Sequence, residues 1–229
     1  MSALRDGCYG PQAEIAGHDP ASVFAALHRR LACYLGAEAF GELTVAYLAA
    51  GAQKLADFLV NTPPWSRNLE IAEFARFELA LTAACDGPPR PHLRHGDIDA
   101  IAPMELDGKG FDIDPAAKRF QFRTNVTSLW SCIACEENPP KPERRREPVD
   151  VLIWRQAGGA RFRILGTEEA RAFDAAAAGK SYVDITGIVS HSMGPGLARE
   201  RTQGYLRGWI EAELVSSLRN PVVSASARK

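Results

Sequence analysis

The stretch Val149-Asp-Val-Leu-Ile-Trp-Arg-Gln-Ala-Gly-Gly-Ala-Arg-Phe-Arg-Ile-Leu165 decides the fold class. Two apolar-rich segments, Val149 to Arg155 and Ala160 to Leu165, flank Gln156-Ala-Gly-Gly, which puts glycines in the turn. That arrangement predicts a β-hairpin. In the second arm Phe162 and Ile164 alternate with Arg161 and Arg163, so apolar and charged side chains take opposite faces. Upstream, Lys118 to Thr124 sets Phe120 and Phe122 against Gln121 and Arg123 and reads as another strand, as does Ile98 to Leu106. Between Thr124 and the hairpin, Asn138 to Pro148 carries four prolines and Arg144-Arg145-Arg146, and reads as an exposed loop. Such a basic triplet could grip an anionic partner, but a short charge run usually marks solvated surface, and that is the expectation here.

Downstream of the hairpin the period lengthens. Thr167 is placed to cap a helix running through Ala178, with Glu168 and Glu169 in its first turn and Gly179 to stop it. A second helical or turn segment begins near Ser181, Gly194-Pro-Gly breaks it, and a last helix holds Leu206, Trp209, Ile210 and Leu214. Hairpin, helix, helix, helix is a winged-helix-like order, which implies no function by itself.

The first 85 residues read as four amphipathic helices. Asp19-Pro20 starts one through Val23, Phe24, Leu27, Leu31 and Tyr34, with Gly36 as its stop. Phe40, Leu43 and Tyr47 mark the second, and Leu55, Phe58 and Leu59 a short third ending at Asn61-Thr-Pro-Pro. The fourth runs from about Asn68 to Cys85 with Phe74, Phe77, Leu81 and Ala84 on one face, leaving Glu73 and Arg76 for solvent. Asp86-Gly-Pro-Pro-Arg-Pro then breaks the pattern. The expected architecture is α+β. A small N-terminal helical bundle (1–90) precedes a C-terminal β-sheet/winged-helix-like domain (97–229).

Bulk composition narrows the function. In 229 residues, 46% are apolar and 24% charged, enough to bury a core. A net charge of −1 lacks the electrostatic footprint of a non-specific nucleic-acid binder. Met1 to Cys8 lacks the apolar core of a signal peptide, and no run approaches a membrane span. A cytoplasmic protein with no nucleic-acid or membrane partner is expected.

Reactive groups are sparse. Five cysteines fit reduced thiols better than a disulfide framework, with Cys33 and Cys85 most simply small core residues. Cys132 and Cys135 form a single C-x-x-C, where zinc would want four ligands and a redox pair would want a helix N-terminus. His92 and His95 have a ligand-like spacing in a Pro-rich stretch, and most of the five histidines (18, 28, 92, 95 and 191) fall in loops or at helix ends. Ser190-His191-Ser192 does not make a triad, because adjacent residues seldom face one another. No phosphate-binding or nucleophile-elbow motif stands in the chain. No catalytic residue and no metal ligand is therefore assigned.

Leu35-Gly36-Ala37-Glu38-Ala39-Phe40 looks like an L-x-G-E-x-F element. Leu69 to Leu79, containing Glu73-Phe74-Ala75-Arg76-Phe77-Glu78, resembles a D-L-A-R-L-E helix. Both elements occur in the helical domain of a family once labelled as a putative DNA-binding domain. The stretch from Val149 to Arg155, followed by Phe162 to Ala170, is similar to that family's C-terminal half. The likeness touches most of residues 20 to 215. It departs from the family in lacking the usual first helix and in carrying Glu73 where aspartate is frequent. Members of this family are partner proteins of multinuclear non-haem iron enzymes that oxidise cysteines in ribosomally made peptides. The resemblance implies a non-catalytic subunit in a heterodimer, with no cofactor of its own and iron in the partner enzyme. It implies that the chain helps bind the precursor's leader peptide. The methanobactin branch is favoured, in which cysteines become oxazolone and thioamide groups of a copper-binding product used in copper acquisition.

A leader peptide gains backbone hydrogen bonds by adding to a sheet edge. The hairpin, or the strand near Phe120, is expected to supply that edge. Phe120, Phe122, Val149, Val151, Ile153, Arg155, Phe162 and Ile164 are the candidate peptide- or partner-binding residues. Two readings compete. One is a DNA-binding regulator with a winged-helix-like domain, for which the helix after Thr167 offers only Arg171 and Lys180 against Glu168, Glu169 and Asp174. The other is a redox protein using Cys132 and Cys135.

Overall fold

The computed structural model describes residues 19–51, 54–86, 90–192 and 194–220. Met1 to Cys8, His18 and Gly87 to Pro89 of the expected boundary lie outside them. The fold is α+β.

Helices α1 (Pro20–Leu27) and α2 (Arg29–Leu35) divide at His28 what the spacing presented as one helix. The division exposes the first amides of α2 to a carboxylate from below. Gly36, at φ 81°, turns the chain into α3 (Ala37–Ala50), and α4 (Leu55–Asn61) and a 3-10 turn (Trp65–Arg67) lead to the long α5 (Leu69–Cys85). The strand expected over Ile98 to Leu106 is instead two short helices, α6 (His95–Asp99) and α7 (Pro103–Asp107). Local chemistry explains the difference. The Arg94 amide donates to Asp97 at 2.7 Å across the first turn of α6, and Pro103 takes the first position of α7, where no amide is needed.

There follow β1 (Gly110–Ile113), β2 (Lys118–Thr124), α8 (Val126–Ala134), β3 (Arg144–Gln156), β4 (Gly159–Leu165), α9 (Thr167–Ala177), α10 (Tyr182–Ser190), α11 (Pro195–Glu211) and β5 (Val215–Arg219). The exposed arginines 144–146 thus open a strand rather than sit in a loop. At α9 the cap position is Gly166, not Thr167, and no side chain caps it. Its end is as expected: Gly179, at φ 77°, lets Lys180 N donate to Ala175 O at 3.0 Å. Leu214 falls past the end of α11, before β5.

Strands β2, β3 and β4 form an antiparallel sheet with β3 in the middle, while β1 and β5 pair as a separate ribbon. The sheet is the shared wall of two cores. Phe122, Val151 and Ile153 pack with Phe74, Phe77 and Leu81 of α5 and with Leu129 and Trp130 of α8. On the opposite side Leu152, Trp154 and Leu165 pack with Phe173 of α9 and with Leu206 and Trp209 of α11. The Pro-rich stretch after Cys85 separates α1 to α5 from the strand-bearing part of the chain, yet the first core draws on both.

In the hairpin turn Ala157 and Gly158 sit at φ 49° and 79°. Both central residues of this turn need the left-handed region, which glycine adopts freely and alanine does not. Ala157→Asn is expected to stabilise the chain by about 1 kcal/mol, because asparagine tolerates that region. The urea midpoint at constant slope measures it; a lower midpoint would contradict the turn assignment.

Candidate functional site

The register Lys118↔Ile153, Phe120↔Val151 and Phe122↔Val149, with Val151↔Ile164, Ile153↔Phe162 and Arg155↔Ala160, puts all eight candidate residues on one face of the sheet. That face is largely covered. Phe122, Val151 and Ile153 are buried under α5 and belong to the core. Phe120 and Val149 are half-buried beside them, and the Arg76 guanidinium lies 5.4 Å over the Phe120 ring. Arg155 lines a cleft with Arg90 and Asp114 near the hairpin turn. Phe162 is half-buried, its ring 4.9 Å from Phe77 and 5.9 Å from Trp130. Ile164 is the exception, 52% exposed.

Backbone directions decide which strand can take a partner. Gln156 and Gly159 flank a two-residue turn and exchange both hydrogen bonds, so Arg161, Arg163 and Leu165 direct their backbone groups at β3. Ala160, Phe162 and Ile164 direct theirs outward. Val149, Val151, Ile153 and Arg155 lie on the central strand, the first three paired to β2 and Arg155 to Ala160 of β4, so they do not form an outer edge of the sheet. The same parity turns Arg119, Gln121 and Arg123 of β2 outward, but α5 already uses this edge. Arg76 Nη1 donates to Gln121 O at 3.4 Å, and Arg123 N donates to Glu73 at 2.7 Å. Among the described residues, no backbone group bonds the outward positions of β4.

Glu73 corrects the reading of α5, because it is buried rather than solvent-facing. Its carboxylate accepts from Arg123 N, from Thr124 N at 2.8 Å and from Thr124 Oγ1 at 2.6 Å. Glu78, fully buried, accepts from Arg30 N at 2.8 Å and Leu31 N at 3.3 Å, and so caps α2. A buried carboxylate is tolerable when several donors converge on it, and both of these are so served. Reading the sequence missed this pair, although a signal was present. Phe74, Glu78 and Leu81 recur at helical spacing, which places Glu78 on the apolar face.

Other candidates disperse. Cys132 and Cys135 sit at the C-terminal end of α8, the opposite end from that of a redox pair, where Glu137 N closes the helix on Cys132 O at 2.8 Å. Cys33, expected in the core, is exposed. His28 is buried, not superficial, with Nδ1 3.7 Å from Glu78 Oε2; His92 stands 4.0 Å from Glu213. No group of three or more metal-ligating side chains converges among the described residues. His191 Nδ1 and the Ser190 hydroxyl both face Gly187 O, whereas the Ser192 hydroxyl donates to Glu168. That bond, and a second from Tyr205 at 2.6 Å, hold the Glu168 carboxyl below the usual carboxylate range. Burial first, and then Glu168, push the Tyr205 hydroxyl well above its ordinary value. The cluster fastens α9 to α11 and leaves no nucleophile beside a base. On α9 the charged groups Glu169 and Asp174 are engaged by Arg163 and Arg119, which tie the helix to the sheet.

No single helix among the described residues is long and apolar enough to cross a membrane. No protein-family model matches the chain, and no curated protein is significantly similar to it.

Proposed function

We propose that this chain is the non-catalytic subunit of a cytoplasmic heterodimer whose other member is an iron-dependent oxidative enzyme. It holds the leader of a ribosomally made precursor while the companion converts the precursor's cysteines to oxazolone and thioamide groups of a copper-binding product. The observation that supports this reading best is the outer edge of β4, which no backbone group among the described residues pairs. Its outward amides and carbonyls lie at Ala160, Phe162 and Ile164, beside the exposed Ile164 side chain. An unfolded leader gains a ladder of backbone hydrogen bonds there, while Phe162 and Ile164 select apolar side chains at alternate positions. The charged side chains of Arg161 and Arg163 face the other way, so a leader of alternating apolar and polar residues fits.

Ile164→Pro removes an outward donor without touching a bond to β3, and Ile164→Ala removes only the side chain. We expect the proline variant to fold and to lose at least about tenfold in affinity for the leader, and the alanine variant to lose less. Fluorescence anisotropy with a labelled, cysteine-containing precursor peptide of alternating apolar and polar leader sequence reads both. Unchanged affinity in a folded proline variant would remove strand addition. Purified alone, the chain is expected to carry no stoichiometric iron and to leave a cysteine-containing precursor unmodified. Both properties should appear only with the companion present, as metal analysis and mass spectrometry would show.

A further inference from the structure

The pairing of β2 with β3 contains a large irregularity. Phe122 faces Val149 and Thr124 faces Arg144, so Arg145 to Pro148 stand opposite Arg123 alone. Four residues on one strand against one on the other push the backbone off the sheet, and bulges of this kind re-aim side chains. The bulge is held from several directions. Buried Glu73 takes the amides of Arg123 and Thr124 on the facing strand. Buried Asn125 donates to Lys141 O at 3.0 Å, accepts from Glu143 N at 2.9 Å, and its own amide bonds Glu143 O at 3.1 Å. Arg123 Nη1 donates to Arg146 O at 3.3 Å. A buried carboxylate fixes the facing strand and a buried amide side chain fixes the approach at Lys141 and Glu143, while Arg123 reaches into a segment whose residues 144–147 are all exposed. A merely solvated charge run needs no such support.

We propose that the arginines of this bulge, Arg144, Arg145 and Arg146 together with Arg123, form a rigid docking point for an acidic segment of a protein partner. Among the described residues, no carboxylate forms an ion pair with any of these four guanidinium groups. The stretch Glu143-Arg-Arg-Arg-Glu147 places acids on both sides of the cations. That pattern repels a continuous phosphate backbone and matches a polypeptide with an acidic centre and basic flanks. A net charge of −1 likewise supplies no general field for nucleic acid. This surface is distinct from the edge of β4, and the inference stands whether or not a leader binds there.

A fluorescein-labelled peptide of sequence Lys-Glu-Asp-Glu-Glu-Lys, titrated with the full chain at low salt, tests it. Binding should weaken as ionic strength rises to about 0.15 M, where screening sets in within about 8 Å. It should fall roughly tenfold or more when Arg144, Arg145 and Arg146 are all changed to Gln. Asn125→Ala keeps every arginine but releases Lys141 to Glu143, and should cost roughly fivefold through lost ordering. Unchanged affinity in the triple variant, whose substitutions are all on the surface, would overturn the proposal. So would unchanged affinity in a folded Asn125→Ala variant, since the arginines would then act without the support beneath them. Tighter binding of a single-stranded RNA hexamer, lost in the same triple variant, would assign the bulge to nucleic acid instead.

Discussion

Replacing Glu78 with alanine is expected to cost about 3–5 kcal/mol of stability, a large part of what a domain has to lose. Three effects add. The amides of Arg30 and Leu31 lose their acceptor, the first in a part-buried place and the second in the interior. His28 Nδ1, buried and 3.7 Å from the carboxylate, loses that polar neighbour. A cavity opens beneath the start of α2. Glu78→Gln separates the contributions. The amide keeps one acceptor oxygen and the volume, so it should cost only about 1–2 kcal/mol. Urea unfolding at constant slope measures both. A loss below about 1 kcal/mol for the alanine variant would mean that the helix start is satisfied some other way.

Glu78 also marks where sequence reasoning reaches its limit. The helical period places it on the apolar face, but its partners, Arg30 and Leu31, are nearly fifty positions away and carry no mark of their need. The hairpin was legible because its alternation and turn chemistry are local. The centre of the sheet was not. Whether Val149 to Arg155 forms an edge depends on where β2 returns, a pairing that crosses α8 and the Pro-rich segment. The ribbon of β1 and β5 was missed for the same reason: Phe111 meets Leu218 across most of the C-terminal half, and Ser216 and Ser217 break the apolar pattern. In Ile98 to Leu106 a few apolar residues suggested a strand, while the cap at Asp97 and Pro103 at a helix start decided otherwise. For the candidate site, the strand register sets the eight side chains on one face, while alternation in the sequence marked only the facing within single strands. It could not tell which of them α5 would cover, and only Ile164 remains largely open.

Phe77→Ala is expected to cost about 3–5 kcal/mol as well, and its consequences should spread beyond the helix that carries it. The ring meets Phe122 of β2 at 5.6 Å, Phe162 of β4 at 4.9 Å and Trp130 of α8 at 5.8 Å, each edge to face. Three elements from beyond the Pro-rich stretch thus converge on one side chain of α5, and packed interiors do not yield at one wall alone. Hydrogen exchange should show lost protection in β2 and β4 together with α5. Trp209→Ala, in the other core, should first loosen α9 and α11. The edge of β4 depends on this support, because Phe162 fixes the strand through Phe77 and Trp130. A leader should accordingly bind Phe77→Ala more weakly even where its unfolding midpoint permits a folded chain. If exchange quickened only within residues 20–85 while β4 kept its protection, the helices and sheet would be separate bodies. The open edge would then owe its order to β3 alone.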